Sequence, residues 1–267
     1  MDIVEFRNVV YDYYLRSKRS FPWRDEVTPY RTFISEVMLQ QTQAGGRTIE
    51  KFNAFVKTWP DFESLAMASL ADILKLWQGL GYNRRALMLK KAAEIIVRAY
   101  KGNLPSTVAE LDALPGIGKA TACSIVAFAF NVPVVFIETN IRSVFIHHFF
   151  PGRTDISDRE LMPLVEQALD RENAREWYSA LMDYGSSLKK LVGNESRRSK
   201  HYAKQSKFEG SDRQIRGEIL KLLSGQDLIS LNEALKLHED TGRINGIIEG
   251  LVSEGMLIKT GDSLRIA

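Results

Sequence analysis

Apolar side chains along most of this chain recur every three or four residues, which is the spacing of one face of an α-helix. The stretch at 83–99 shows it most clearly, since Ala86, Leu89, Ala93 and Ile96 form one apolar stripe. The same spacing predicts further helices at 4–14, 30–41, 48–58, 69–77, 108–114, 119–131, 157–169 and 175–185. Strands and helices do not alternate here, so we expect an all-α main domain.

Two shorter patterns refine this main domain. The stretch at 132–137 is apolar and largely β-branched, but it is short. This pattern favours an extended connector that leads into a helix after Thr139. The helix predicted at 157–169 begins with Ser157 and carries Glu160 three residues later, which is the pattern of a capping box.

The chain changes character after residue 211. Helical spacing at 213–224, 230–237 and 241–254 is followed by two short alternating stretches around a Thr-Gly-Asp turn, which predicts a β-hairpin. Three helices and a hairpin are typical of a winged-helix domain, and its expected core is Ile244, Ile247, Ile248 and Leu251. Only Arg243 adds positive charge to the third helix, so we do not expect this domain to read DNA sequence.

A polar and basic segment separates the two parts. Residues 189–207 contain seven Lys or Arg against one acid, Glu195. The segment is either a solvated linker or a strap along DNA phosphates. We therefore divide the chain into a main domain of two helical lobes (1–192), a basic linker (193–210) and a winged-helix-like domain (211–267).

Composition excludes several classes of protein. The only cysteine, Cys123, lies in an apolar helix, so neither a disulfide nor a four-cysteine iron–sulfur cluster can form. The four histidines lack metal-ligand spacing, and no apolar run approaches the roughly 20 residues of a membrane helix. The acidic, amphipathic N-terminus is unlike a signal peptide. We expect a cytoplasmic, nucleoid-associated protein with a net charge of +3, which permits nucleic-acid binding without proving it.

A glycine-rich turn, Leu-Pro-Gly-Ile-Gly-Lys-Ala-Thr-Ala, joins the helices predicted at 108–114 and 119–131. Its glycines allow a tight bend, and the unpaired N–H groups of the next helix then make a seat for a phosphate oxygen. The candidate DNA contacts in this hairpin are Gly116, Gly118, Lys119, Ala120 and Thr121.

Two carboxylates are candidates for chemistry at a base–sugar bond. Glu138 follows the apolar connector, and a carboxylate there can stabilise the positive charge that develops on the sugar. It can alternatively just cap the helix at Thr139. Glu36 has the apolar neighbours Ile34 and Val37, so burial should raise its pKa and suit it to protonate a departing base. The alternative is a surface glutamate on an amphipathic helix.

Further candidate DNA contacts lie in three short segments. Gln41 and Gln43 can read base edges, and Tyr82, in a turn with two glycines, can enter the base stack when a nucleotide is flipped out. Arg84 and its neighbour Arg85 can meet phosphates. Arg24 is a candidate residue near the pocket that would receive the flipped-out base. The preceding residue, Trp23, is expected to pack in the core.

In their order along the chain these segments resemble the helix–hairpin–helix base-excision superfamily, and most closely its adenine DNA glycosylase (MutY-type) branch. The matching segments are 21–24, 35–43, 77–82, 114–121, Asn140 and 181–185. The resemblance implies two helical lobes with a DNA groove and a base pocket between them. It places Glu36 at the proton-donating acid, Glu138 at the catalytic Asp, Asn140 at a residue supporting that acid, and Tyr82 at a duplex contact.

Four departures accompany the resemblance. Glu138 is one methylene longer than Asp, a displacement of about 1 Å that can change a rate about 100-fold. The four-cysteine loop expected after Gly185 is missing, so we expect no iron–sulfur cluster and no other cofactor. The winged-helix-like tail replaces the domain that reads 8-oxoguanine. Bifunctional relatives carry Lys at the position of Ala120 in this chain. The neighbouring Lys119 lies about 100° away around the helix, so the resemblance favours a monofunctional enzyme.

The resulting hypothesis is a monomeric, monofunctional DNA glycosylase that removes a mispaired or damaged base from double-stranded DNA, adenine first among them. No catalytic metal is expected, although the hairpin backbone at Leu114 and Ile117 is a candidate seat for a monovalent cation. The alternatives are a thymine or uracil mismatch glycosylase on the same scaffold, and a catalytically inactive DNA-binding protein.

Overall fold

A computed structural model describes residues 1–267, and it is mainly helical. Its first twelve α-helices are α1 (Ile3–Ser17), α2 (Pro22–Asp25), α3 (Pro29–Leu39), α4 (Gly46–Thr58), α5 (Phe62–Met67), α6 (Leu70–Trp77), α7 (Arg84–Tyr100), α8 (Val108–Asp112), α9 (Lys119–Phe130), α10 (Thr139–Phe149), α11 (Asp158–Ala168) and α12 (Ala174–Leu191). A 3-10 helix (Glu195–Arg198) precedes α13 (Asp212–Leu223), β1 (Ile229–Ser230), α14 (Leu231–Leu235), α15 (Thr241–Ser253), β2 (Leu257–Thr260) and β3 (Ser263–Ile266). The expected all-α class is confirmed. None of the helices combines the length and the apolar composition that a membrane span needs.

The differences from the predicted helices are local and have local causes. The short helices α2 and α5 have four and six residues, too few to show a periodicity, although Asp61 and Ser64 form a capping box at the start of α5. Helix α12 continues beyond the predicted end at 185 because Leu188 returns to its buried face. Residues 132–137 are an extended connector as predicted, fixed where the Tyr178 hydroxyl donates to the Val134 carbonyl at 2.7 Å.

The chain divides into two compact units. The first consists of Met1–Glu36, Ser106–Ala113 and Ile117–Lys204. Its core lies where α1, α10 and α12 pack together, around the fully buried rings of Phe6, Phe145 and Trp177. The Phe6 ring centre lies 4.8 Å from that of Phe145 and 6.0 Å from that of Trp177, so the N-terminal helix is held by aromatic contacts.

The basic segment after α12 is partly packed on this first unit. Ser196 and Ser199 are buried, and Ser199 forms a parallel bridge with Ile156. Arg198 donates to the Glu195 carboxylate and to backbone carbonyls, including that of Arg153 at 2.7 Å. One of the seven basic side chains therefore has a structural role. The other six are exposed, as either a solvated linker or a strap along phosphates requires.

The second unit consists of Val37–Pro105, Leu114–Gly116 and Gln205–Ala267. Its C-terminal part has the expected winged-helix elements, with the hairpin of β2 and β3 in the register Leu257 to Ile266. The predicted core is confirmed, since Ile244, Ile247, Ile248 and Leu251 are all buried. Strand β1, too short to predict, adds a third strand in the order β1-β3-β2.

Candidate functional site

The two hairpin glycines differ in what their surroundings would allow. Gly116 has φ +76°, a conformation that L side chains rarely adopt, and a Cβ there would lie 2.6 Å from the Met88 Cβ. Gly118 is the N-cap of α9 with φ −97° and ψ 168°, and a Cβ there would meet nothing within 4 Å. The fold therefore requires glycine at 116 only. At 118 the missing side chain leaves the start of α9 open to an approaching ligand.

The start of α9 has the features of an anion seat. Its N-cap makes no side-chain hydrogen bond and its first turn contains no acid, so no carboxylate competes for the free N–H groups. Gly116, Gly118, Lys119 and Ala120 are exposed, and Thr121 is half-buried. The predicted contacts of the hairpin are therefore accessible to a phosphate group.

Glu138 caps helix α10 through one of its two oxygens. Oε1 accepts hydrogen bonds from the backbone N–H of Asn140 at 2.6 Å and of Ile141 at 2.8 Å. Oε2 has a single long contact, 3.3 Å from the Asn140 side-chain nitrogen. Capping and chemistry are therefore compatible, because the cap fixes the carboxylate while Oε2 remains available. Burial raises the pKa of Glu138, and the hydrogen bonds from the backbone of α10 oppose that rise.

Asn140 is itself held in place by close packing of α12. Its side-chain nitrogen lies 3.3 Å from Glu138 Oε2 and 3.7 Å from the Met182 sulfur. A Cβ at Gly185 would lie 2.7 Å from the Asn140 Cβ and 2.8 Å from the Asn140 carbonyl oxygen. Only glycine lets α12 approach the start of α10 this closely, so Gly185 helps to fix the Glu138 carboxylate.

Glu36 occupies the environment that the sequence predicts. Burial raises its pKa to about 7, and the negative charge of Glu138 adds to the rise. A hydrogen bond with Ser124 and the positive charge of Arg24 act in the opposite direction. The alternative of an ordinary surface glutamate is therefore wrong. Near neutral pH a large fraction of this carboxyl group carries a proton that it can give away.

Ser124 is a site residue that the sequence analysis missed. It is buried in α9, with its hydroxyl 2.5 Å from Glu36 Oε2 and 3.0 Å from the Thr121 carbonyl oxygen. The hydroxyl donates to Glu36 Oε2, which favours the carboxylate form and so opposes the rise that burial causes in the pKa of Glu36. The available signal was a lone polar residue on the apolar side of a helix.

Arg24 contacts a protein carboxylate that the sequence analysis also missed. Its guanidinium lies 3.0 Å from both oxygens of Asp183, whose side chain is fully buried. Arg19 donates to the same carboxylate at 2.8 Å. The expected DNA contact through Arg24 is thus replaced by an internal ion pair. The positive charge of Arg24 also lowers the pKa of Glu36, whereas its place near a base pocket stays a prediction.

Arg85 has a structural role rather than the expected phosphate contact. Its guanidinium donates to the backbone carbonyls of Val37, Met38 and Gln40 at 3.0, 2.8 and 2.6 Å. It also donates to the carbonyls of the turn before α7. Burial lowers its pKa to about 10, which leaves it charged at neutral pH. Arg85 therefore ties the end of α3 to this turn, whereas Arg84 is exposed.

The other predicted contacts of the second unit differ in accessibility. Gln41 and Gln43 are exposed, as a base-reading role requires. Tyr82 is half-buried, and its hydroxyl accepts a hydrogen bond from Arg213 at 2.7 Å. The guanidinium groups of Arg85 and Arg213 lie 5.6 and 5.2 Å from the centre of its ring. The expectation of a free tyrosine wedge is therefore wrong, because the C-terminal part of the chain already holds this side chain.

Comparison with known proteins identifies the family to which this geometry corresponds. The family described as HhH-GPD superfamily base excision DNA repair protein matches residues 34–170. An adenine DNA glycosylase of Buchnera aphidicola subsp. Baizongia pistaciae is 33% identical over 187 residues, which is 70% of this chain and 53% of that protein. The chain thus spans about half the length of that relative. Adenine DNA glycosylase of Mycobacterium tuberculosis (strain ATCC 25618 / H37Rv) is 30% identical over 94% of this chain and 89% of its own length.

Two solved structures share the fold. A thermostable thymine-DNA glycosylase superposes with a TM-score of 0.61 at 25% identity, covering 69% of this chain and 86% of that one. A non-covalent complex of endonuclease III with DNA gives a TM-score of 0.56 at 16% identity, covering 68% and 85%. At that identity the second likeness concerns the fold alone.

Proposed function

Because the chain belongs to the HhH-GPD superfamily of base excision DNA repair proteins, we propose that it is a DNA N-glycosylase. The observation that supports this most is the pair of carboxyl groups in one unit with different surroundings. Glu36 is hydrogen-bonded by a hydroxyl and has a pKa of about 7, whereas Glu138 receives two backbone N–H groups that favour its anion. One acid and one carboxylate are what hydrolysis of a glycosidic bond requires.

In the proposed mechanism Glu36 gives its proton to a ring nitrogen of the flipped-out base as the base–sugar bond breaks. The bonding electrons leave with the base, and positive charge develops on the sugar. Glu138 stabilises that charge through Oε2, the oxygen that the α10 cap leaves available. Water then bonds to the sugar carbon, and its proton passes to a carboxylate.

Adenine is the proposed base. Purine ring nitrogens accept a proton readily, which makes a protonated Glu36 useful, and the named curated relatives are adenine DNA glycosylases. A thymine or uracil mismatch glycosylase is the second candidate, favoured by the 25% identity to a thymine-DNA glycosylase structure. The third is a DNA-binding protein without activity.

We further propose a monofunctional enzyme that acts on double-stranded DNA as a monomer, without an iron–sulfur cluster or another cofactor. The exposed Ala120 at the start of α9 offers no amine for a covalent intermediate. A monovalent cation at the backbone of Leu114 and Ile117 also stays a prediction, as do the domain boundaries at 192 and 211.

A panel of lesion duplexes tests these proposals. The full chain is incubated with duplexes containing A·8-oxoguanine, A·G, T·G, U·G or hypoxanthine, and released base is measured by chromatography. We expect adenine release, with strand breaks only after alkali because the enzyme is monofunctional. Release of pyrimidines alone would favour the second candidate. Binding without release from any duplex would favour the third, and strand cleavage without alkali would contradict monofunctionality.

Gly185→Ala should slow base release about 100-fold, because its Cβ must displace Asn140 and with it the Glu138 carboxylate. Overpacking should also lower the free energy of unfolding by about 1–3 kcal/mol. Single-turnover rates and thermal melting measure both effects. Gly246→Ala is the matched control, a helical glycine with open space around a Cβ, and it should keep the full rate. A wild-type rate in Gly185→Ala would show that α12 does not position the acid.

A further inference from the structure

A large cleft lies within the second unit, between the turn that precedes α7 and helix α13. Its volume is about 1070 Å³, slightly above the range of about 300–1000 Å³ for pockets that bind small ligands. One wall contains Tyr82 and Arg84, and the other contains Phe208, Arg213 and Lys221. The second wall lies outside residues 34–170, so the family match does not account for the cleft.

The charge of the lining favours a ligand with several negative groups. The cleft has six Arg or Lys side chains and one acid, Glu218. Three of these cations are engaged, since Arg85 donates to backbone carbonyls, Arg213 bonds Tyr82 and Arg216 pairs with Glu254. The other three cations of the lining, Arg47, Arg84 and Lys221, are exposed, and none of them makes an ion pair. Three free cations along one groove suit a row of phosphates better than a single anion.

An exposed aromatic ring lies in the same groove. Phe208 keeps 57% of its surface exposed, and its ring centre is 5.4 Å from the Arg213 guanidinium. Arg213 lies 5.2 Å from the Tyr82 ring, so the three side chains form a continuous row of flat groups. Aromatic rings beside a basic groove are the usual platform for unpaired bases, which stack on the rings while their phosphates meet the cations.

We propose that this cleft binds unpaired nucleotides of a DNA strand. A base stacks on Phe208, and the adjoining phosphates bind Arg47, Arg84 and Lys221. Arg213 is a positioning residue that joins Phe208 to Tyr82. This inference rests on the proposed function in one respect, namely that the bound strand belongs to the DNA under repair. Binding at the cleft does not itself require base release.

The test measures binding of the full chain to a fluorescein-labelled single-stranded thymidine octamer by anisotropy, over a range of salt concentrations. Phe208→Ala should raise the dissociation constant about tenfold, because one stacked base is lost. Lys221→Gln should weaken binding and reduce the slope of log affinity against log salt by about 0.7, the value for one phosphate contact on a single strand. Lys236→Gln, an exposed lysine after α14 and away from the cleft, is the matched control and should change neither. Thermal melting checks that each variant is folded.

Three results would overturn the proposal. If Phe208→Ala binds the octamer with unchanged affinity, Phe208 does not stack a base. An equal loss in Lys221→Gln and Lys236→Gln would indicate diffuse surface attraction rather than a site. Displacement of the octamer by millimolar deoxyadenosine monophosphate would assign the cleft to a free nucleotide instead of a strand. None of these binding measurements depends on base release. The glycosylase proposal can therefore fail in the duplex panel while binding at the cleft is confirmed, and the reverse is equally possible.

Discussion

Glu138→Gln is expected to lower the rate of base release by about 10³-fold or more while the protein stays folded. The charge on the sugar loses its stabilising anion, and loss of even a single preorganised donor at such a site costs about 10²–10³-fold. The fold should tolerate the change because the amide oxygen of Gln can still accept the N–H groups of Asn140 and Ile141.

Single-turnover kinetics on the best duplex of the panel measure this effect, with DNA affinity and the melting temperature recorded beside it. Asp61→Asn is the matched control, because Asp61 also caps a helix, accepting from the Ser64 N–H at 2.8 Å, and has no proposed role in chemistry. It should keep the wild-type rate. If Glu138→Gln also keeps a rate within tenfold of wild type, Glu138 is only a helix cap and the mechanism is wrong.

The second large effect is expected from Glu36→Gln, which removes the proton donor. General acid catalysis is typically worth about 10²–10⁴-fold, and the rate should fall within that range. The wild-type rate should decrease as the pH rises through about 7, because only protonated Glu36 can act as the acid. The variant should lose this descending limb, since an amide does not titrate.

Ser124→Ala gives an independent check on this assignment. The Ser124 hydrogen bond lowers the pKa of Glu36, so its removal should move the descending limb to higher pH. Glu94→Gln, a change at an exposed carboxylate of α7, should leave the rate and the pH profile unchanged. A descending limb that persists in Glu36→Gln would assign the titration to another group.

The local features of this protein follow from short stretches of sequence. Helix periodicity, the capping box at Ser157 and the hairpin between α8 and α9 each depend on residues a few positions apart, and each is present in the structure. The raised pKa of Glu36 was predicted from the apolar residues beside it in the sequence, and burial in the folded chain is its cause. The winged-helix core is predictable for the same reason, since its four residues lie on one face of α15.

The contacts that distinguish a catalytic side chain from a structural one were decided by tertiary structure alone. Ser124 and Glu36 are hydrogen-bonded although they lie 88 residues apart in the sequence, and Arg24 and Asp183 form an ion pair although they lie 159 residues apart. Arg84 and Arg85 are neighbours in sequence, yet one is exposed and the other donates to buried carbonyls. A helix turns about 100° per residue, so adjacent side chains of the same type face different surroundings, and only the folded chain shows which one is free to meet a ligand.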